Sequence, residues 1–333
     1  MNIREAFGNQ AENCWALGSP FMGRFMALVA SRLTAGNSVT DRIFNWQGDA
    51  SANADNVPLR LAGALHALYL TDQAFENIYP PADVSGDEFW AAVEQALEDH
   101  SDHILEWLDS PPQTNEVRRA SVILPALALV EQRIGGPIDL IEVGASGGLN
   151  LRANHFRVNL PGMILGKEAS TVVLNPEWRG PPPPPKLPNI RKRVGVDLAP
   201  IDPLTDEGAL RLLSYLWADQ PDRIERTRAA IDISGKVPAE LVQADVADFL
   251  EETLALRSDN LRVVLHTIAW QYFPEEVSLR AEAALTSNAP LIRIGMEYDG
   301  GHGAGVRITW PDGSTEEIAR ADFHGRWVDW LVA

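Results

Sequence analysis

The segment Leu140-Ile141-Glu142-Val143-Gly144-Ala145-Ser146-Gly147-Gly148-Leu149-Asn150 decides the fold. An apolar run ends in an acidic residue, passes through a turn of small residues and enters a helical start. Small residues let a backbone approach a ligand closely, and the unpaired N–H groups of a helix start attract negative charge. Downstream, β-branched runs at 193–197, 241–244, 262–266 and 291–296 alternate with helical stretches at 206–233, 246–255 and 275–285. With the run at 138–143 they predict a doubly wound, mostly parallel α/β sheet with helices on both faces. Residues 306–310 and 315–319 flank Pro311-Asp312-Gly313-Ser314, which predicts a C-terminal antiparallel hairpin around an Asp-Gly turn. Upstream of Gly135-Gly136-Pro137 the apolar residues keep helical spacing, as in Phe21, Phe25 and Leu28 or Leu61, Leu65 and Leu68. Ser19-Pro20 and Ser85 with Glu88 mark helix starts, and one acidic amphipathic helix is expected from Asp87 to Trp107. The expected organisation is an all-helical cap at 1–135, then an α/β domain at 136–333 with a Pro-rich insertion near 155–190. The five prolines at 181–185 can only be extended polyproline II, read here as a surface strap.

Three chemistries use a strand–small turn–helix of this kind. The first strand of class I S-adenosylmethionine-dependent methyltransferases ends acidic-apolar-Gly-x-Gly-x-Gly, and Glu142, Gly144 and Gly148 resemble its acidic, first-glycine and last-glycine places, with Ser146 where the middle glycine is usual. The resemblance implies that Glu142 holds the amino-acid end of S-adenosylmethionine and that Gly144, Ala145, Ser146, Gly148 and Asn150 line its ribose and methionine portion. Gly144-Ala145-Ser146-Gly147-Gly148 also matches the Gly-x-Ser-x-Gly nucleophile elbow, with Ser146 as nucleophile and His302 or His324 as base. Against the elbow, the preceding residues are helical and Glu142 brings negative charge to an oxyanion-forming turn. The dinucleotide fingerprint Gly-x-Gly-x-x-Gly does not fit this spacing.

Ligands in open α/β sheets bind outside the carboxyl ends of strands. The second strand ends at Asp197, suited to ribose hydroxyls, and the third at Asp245, suited to an adenine amino group. Both also precede helices, where a carboxylate serves equally as a turn or N-cap residue. The fourth ends in His266-Thr267-Ile268-Ala269-Trp270-Gln271-Tyr272. His266 is a candidate general base or a buried structural histidine, and Gln271 and Tyr272 are candidates to orient a substrate. Glu297 and His302, in the polar Gly-rich loop after the fifth run, are candidate substrate contacts in a closing loop, with Asn115 of Thr114-Asn115-Glu116-Val117 as a third. Thr114 reads alternatively as a helix cap. Asp197 keeps its role only if the extended piece at 171–175 is not the true second strand.

Composition narrows the partners. With 28 Lys+Arg against 46 Asp+Glu the formal charge is −18, which disfavours nucleic acid and anionic membranes. Residues 1–135 hold eight Lys/Arg and eighteen Asp/Glu, and 61–117 hold no Lys or Arg. If the cap borders a cleft, this favours a cationic or neutral acceptor. One cysteine, Cys14, excludes an intrachain disulfide and a Cys-based zinc module. His100 and His103 beside Asp99 and Asp102 read as solvated helix surface, so no metal is expected. The apolar run 122–130 is too short to span a bilayer, and the expected compartment is the cytoplasm.

Gln10-Ala11, Leu17 to Phe21, Pro58 to Leu61, Gly63 to His66, Thr114 to Val117, Glu142 to Asn150, Gly195 to Leu198 and His324-Gly325 together resemble an uncharacterised bacterial family, domain of unknown function 2332. That resemblance implies a bacterial protein and transfers no activity. The expected function is methyl transfer from S-adenosylmethionine to a small molecule or protein side chain. A Ser146 hydrolase and a non-catalytic methyltransferase-like binding module are the alternatives.

Overall fold

Capping side chains stand at five of the described helix starts, and apolar stripes decide which faces turn inward. The computed structural model describes residues 1–52, 54–288 and 290–332. In chain order the first helices are α1 (Ile3–Ala16), α2 (Pro20–Arg32), α3 (Ser38–Phe44), α4 (Val57–Leu70), α5 (Gly86–Asp99), α6 (Ser101–Asp109) and α7 (Ala120–Arg133). Strands β1 (Pro137–Val143), β2 (Arg157–Leu160), β3 (Met163–Gly166), β4 (Val173–Leu174), β5 (Glu177–Arg179) and β6 (Asn189–Asp197) follow. The remainder is α8 (Asp206–Ser214), α9 (Pro221–Ser234), β7 (Glu240–Gln243), α10 (Val246–Ala255), β8 (Leu261–Thr267), α11 (Glu275–Ser287), β9 (Ile292–Tyr298), β10 (Ala304–Thr309), β11 (Thr315–Ala321) and β12 (Trp327–Trp330).

The chain divides into two compact units, Met1–Thr114 with Asp206–Glu225, and Asn115–Thr205 with Arg226–Ala333. The division thus falls at Thr114, and α7, expected in a helical cap ending at 135, lies in the second unit. Conversely 206–225, expected in the α/β domain, lies in the first. The first unit is helical. Asn2, Asn37 and Ser85 close reciprocal capping boxes, and Ser19 caps α2 with Pro20 in its first turn. Its core holds Phe7, Phe25, Met26, Leu65, Leu68 and Trp107, together with Tyr215 and Trp217 from the returning segment. The helix expected from Asp87 to Trp107 is two helices, broken at His100, whose backbone ends α5 and begins α6. Likewise 206–233 is two helices, α8 and α9, separated before Pro221.

The second unit is built on a nine-stranded sheet of order β5-β12-β11-β10-β9-β8-β1-β6-β7. Five adjacent pairs are parallel: β7 with β6, β6 with β1, β1 with β8, β8 with β9, and β12 with β5. The β9–β10–β11–β12 meander is antiparallel and contains the expected Asp-Gly hairpin. Ile141, Val143, Val196 and Val264 pack under α10 and α11 through Val246, Leu250, Ala281 and Leu285. Side chains alternate along a strand, so Glu142 points to the opposite face. The piece at 171–175 supplies β4 of a separate three-stranded sheet, β3-β2-β4, so β6 is the strand beside β1. Strands β5 and β12 were not expected. Trp178 of β5 stacks on Trp330 of β12 with ring centroids 5.5 Å apart, and its indole N–H donates to Pro181 O. Pro183 and Pro184 are buried, as a strap requires.

Candidate functional site

The carboxyl ends of the parallel strands gather most of the expected residues. Gly144 and Ala145 both donate their backbone N–H to Val196 O, which clamps the turn after β1 against β6. Asp197 completes the clamp: Oδ2 accepts from Ser146 N at 2.8 Å and Oδ1 from Ala199 N at 3.0 Å. Ser146 has φ +52°, a left-handed conformation unusual for a residue with a side chain. On the other side of the turn the buried Asn115 Oδ1 accepts from Leu149 N at 2.8 Å, and Asn150 Nδ2 donates to Glu116 O at 3.1 Å. Asn115 is therefore a brace of the turn. Glu116, and not Thr114, caps the short helical turn Val117–Arg119 by accepting from Arg118 N.

The glycines answer to packing within the protein. A Cβ on Gly144, which has φ +67°, would lie 2.6 Å from the Ala269 Cβ in the segment after β8. One on Gly148 would lie 2.7 Å from Leu241 Cδ2. Ala145 is fully buried and faces Gly195.

Glu142 is 2 % exposed. Burial pushes its carboxyl up to about 8, against the opposing pull of the Arg152 and Arg119 charges. Those guanidiniums are committed to carbonyls: Arg152 donates to Gly148 O and Val237 O, Arg119 to Phe323 O and Thr267 O. No described residue donates to Glu142 Oε2, and none to the equally buried Asn150 Oδ1. Asp245 spends Oδ1 on Ala247 N and Asp248 N as the N-cap of α10. It follows Ala244, whose N–H donates to Asp197 O, so the two strand-end acids are neighbours.

His266 is 3 % exposed and both its ring nitrogens are engaged. Nδ1 meets Glu297 Oε1 at 2.7 Å and Nε2 accepts from Arg293 Nε at 2.8 Å. The imidazole is therefore neutral with its proton on Nδ1, and burial holds its pKa below the usual value. With its only lone pair on Arg293, it has none to offer as a general base, which corrects that assignment. Gln271 and Tyr272 are exposed on the short turn Trp270–Tyr272 and make no side-chain hydrogen bond among the described residues. His302 stacks on Trp327 at 4.7 Å, and its carbonyl accepts from Arg320. Asp299 takes Arg307 and Arg320, so this loop is fastened to the antiparallel strands rather than poised as a lid.

Arg152, Arg293 and Glu282 were not singled out by sequence, whereas Arg119, which follows Thr114-Asn115-Glu116-Val117, reads there as a partner for a carboxylate. Arg293 carried a readable signal, a charge in the middle of the apolar run 291–296. No described helix is long and apolar enough to cross a membrane.

Residues 4–330 match the family described as an uncharacterized protein conserved in bacteria, domain of unknown function 2332, and the chain belongs to that family. No curated protein and no solved structure matches it.

Proposed function

We propose that the second unit binds S-adenosylmethionine at the carboxyl ends of β1, β6 and β7 and transfers its methyl group to a small molecule or protein side chain. The observation that carries the reading is a local surplus of unpaired buried oxygens: Glu142 Oε2 and Asn150 Oδ1 lie beside one turn with no described partner for either. Buried polar atoms are nearly always paired, so such a surplus calls for a ligand rich in N–H and O–H donors. S-adenosylmethionine, with an ammonium, two ribose hydroxyls and an adenine amino group, has that chemistry. The strand order gives further support. From β7 to β9 the sheet reads third, second, first, fourth, fifth parallel strand, which puts the switch point between β1 and β8, beside the turn.

When bound, the cofactor supplies a methyl group on a sulfonium that leaves readily as a thioether. The cofactor's ammonium would favour the charged carboxylate over the protonated one, so that Glu142, with Asn150, would accept from its donors, and Asp245 would keep Oδ2 for a donor at the end of β7. Asp197 and Asn115 act on the turn and not on the ligand: each holds a backbone N–H, of Ser146 and of Leu149, and so fixes where the acceptors point. The Gly144 and Gly148 positions answer to Ala269 and Leu241, so packing within the protein and not the approach of a ligand requires glycine there.

A thermal-shift titration tests it. S-adenosylhomocysteine at about a hundred times its Kd adds about 2.7 kcal/mol, which raises the melting temperature of a chain of this size by roughly 4 °C. The shift should shrink in Glu142→Ala and Asn150→Ala. No shift at millimolar ligand sinks the proposal. The positive φ of Ser146 favours the hydrolase as second reading. Labelling by a fluorophosphonate that Ser146→Ala abolishes would establish it instead.

A further inference from the structure

A chain of side chains runs across β8 and β9 beside the turn. Arg293, Gly295 and Glu297 alternate along β9 and share one face. The His266 ring, from the paired position on β8, lies over Gly295, where an added Cβ would come within 2.7 Å of its Cε1. It thereby bridges Arg293 at Nε2 to Glu297 at Nδ1. At the far end Arg293 Nη1 donates to both carboxylate oxygens of Glu282 of α11, at 2.7 and 2.8 Å, and the guanidinium lies over the Trp270 ring. At the near end Glu297 Oε1 accepts three bonds: from His266 Nδ1, from Ala269 N and from Trp270 N, the last two at 3.1 Å.

The charge balance of this chain is uneven. Glu282 neutralises Arg293, and the imidazole between Arg293 and Glu297 is neutral. All three donors to Glu297 Oε1 are uncharged, while Oε2 is buried with no donor among the described residues. A buried carboxylate without a countercharge is costly unless a cation reaches it. Ala269, which the carboxylate holds through its N–H, touches Gly144, so this oxygen belongs to the same strand-end region as the turn.

We propose that Glu297 Oε2 is the binding point for a protonated amino group of the acceptor substrate, with His266 and Arg293 as positioning residues that hold the carboxylate. This deepens, and rests on, the methyl-transfer proposal, because it names the acceptor as an amine-bearing molecule. Sequence treated Glu297 as part of a mobile loop. Its three bonds instead make it a fixed feature that also fastens the segment after β8.

Ligand-observed saturation-transfer NMR on the full chain, with S-adenosylhomocysteine present and absent, tests the inference with propylamine as probe and propanol and propionate as controls. Propylamine should bind at least about tenfold more tightly than either control, as expected for a charged hydrogen bond. Glu297→Gln keeps an oxygen for the three donors but removes the charge, and should weaken propylamine binding by at least about tenfold. Equal binding of the three probes to the natural chain overturns the proposal without any variant, as does unchanged amine binding in a folded Glu297→Gln. An absent thermal shift with S-adenosylhomocysteine, combined with amine binding that Glu297→Gln abolishes, removes the methyltransferase and leaves the amine site standing. A normal shift without amine preference removes the amine site alone.

Discussion

Replacing Glu142 by Gln keeps the shape of the side chain and removes one titration. The carboxyl is lifted from 4.5 to about 8 by burial, so the folded state binds this proton more tightly than the unfolded chain does. A group shifted in this sense contributes its full stability below the unfolded value and loses it as pH rises through the folded value. At about 1.36 kcal/mol per unit, the whole interval corresponds to roughly 5 kcal/mol. Between about pH 6 and about pH 8, the natural chain should lose roughly 2 kcal/mol through this group alone. The variant should not. Urea unfolding of both proteins at the two pH values gives the comparison, since other titrating groups are common to both. The gap should widen by about 2 kcal/mol in favour of Glu142→Gln as pH rises. A constant gap would refute the reasoning. A gap moving against the variant would show that Arg152 and Arg119 outweigh burial and keep the carboxylate charged.

Gly144→Ala combines a left-handed backbone with a Cβ 2.6 Å from Ala269 and should cost about 2–4 kcal/mol in urea unfolding; a loss under about 1 kcal/mol would show that the segment after β8 yields easily. Asp245→Ala removes the N-cap of α10 and should cost about 1 kcal/mol, while a loss near zero would free the carboxylate from that structural role. Cys14 is fully buried and its thiol is pushed up to about 11, so it should resist a disulfide reagent until urea unfolds the chain; rapid labelling of the native protein would contradict its burial.

The parallel half of the sheet was legible because β1, β6, β7, β8 and β9 are apolar runs separated by helical stretches, and the hairpin because Asp312-Gly313 sits between alternating strands. Strands β5 and β12 were not, since Glu177–Arg179 and Trp327–Trp330 are short and acquire strand character only by pairing with each other and with β11. The sequence pattern puts the domain boundary at Gly135-Gly136 because α7 is helical like everything before it. Periodicity cannot say that its apolar faces pack against β3 and β11. At the site, position along the sequence located the strand ends. What it could not give was the direction of each bond. Asp197 looks outward in sequence yet spends both oxygens on backbone N–H groups, and His266 looks like a base yet has its lone pair taken by an arginine 27 residues away.

A crystal structure of the chain grown with S-adenosylhomocysteine tests the cofactor assignment most directly. The ligand should lie at the carboxyl ends of β1, β6 and β7, with its amino or hydroxyl donors within hydrogen-bonding distance of Glu142 Oε2 and Asn150 Oδ1. A ligand bound elsewhere, or a saturated crystal in which those two oxygens pair only with water or protein, would contradict it.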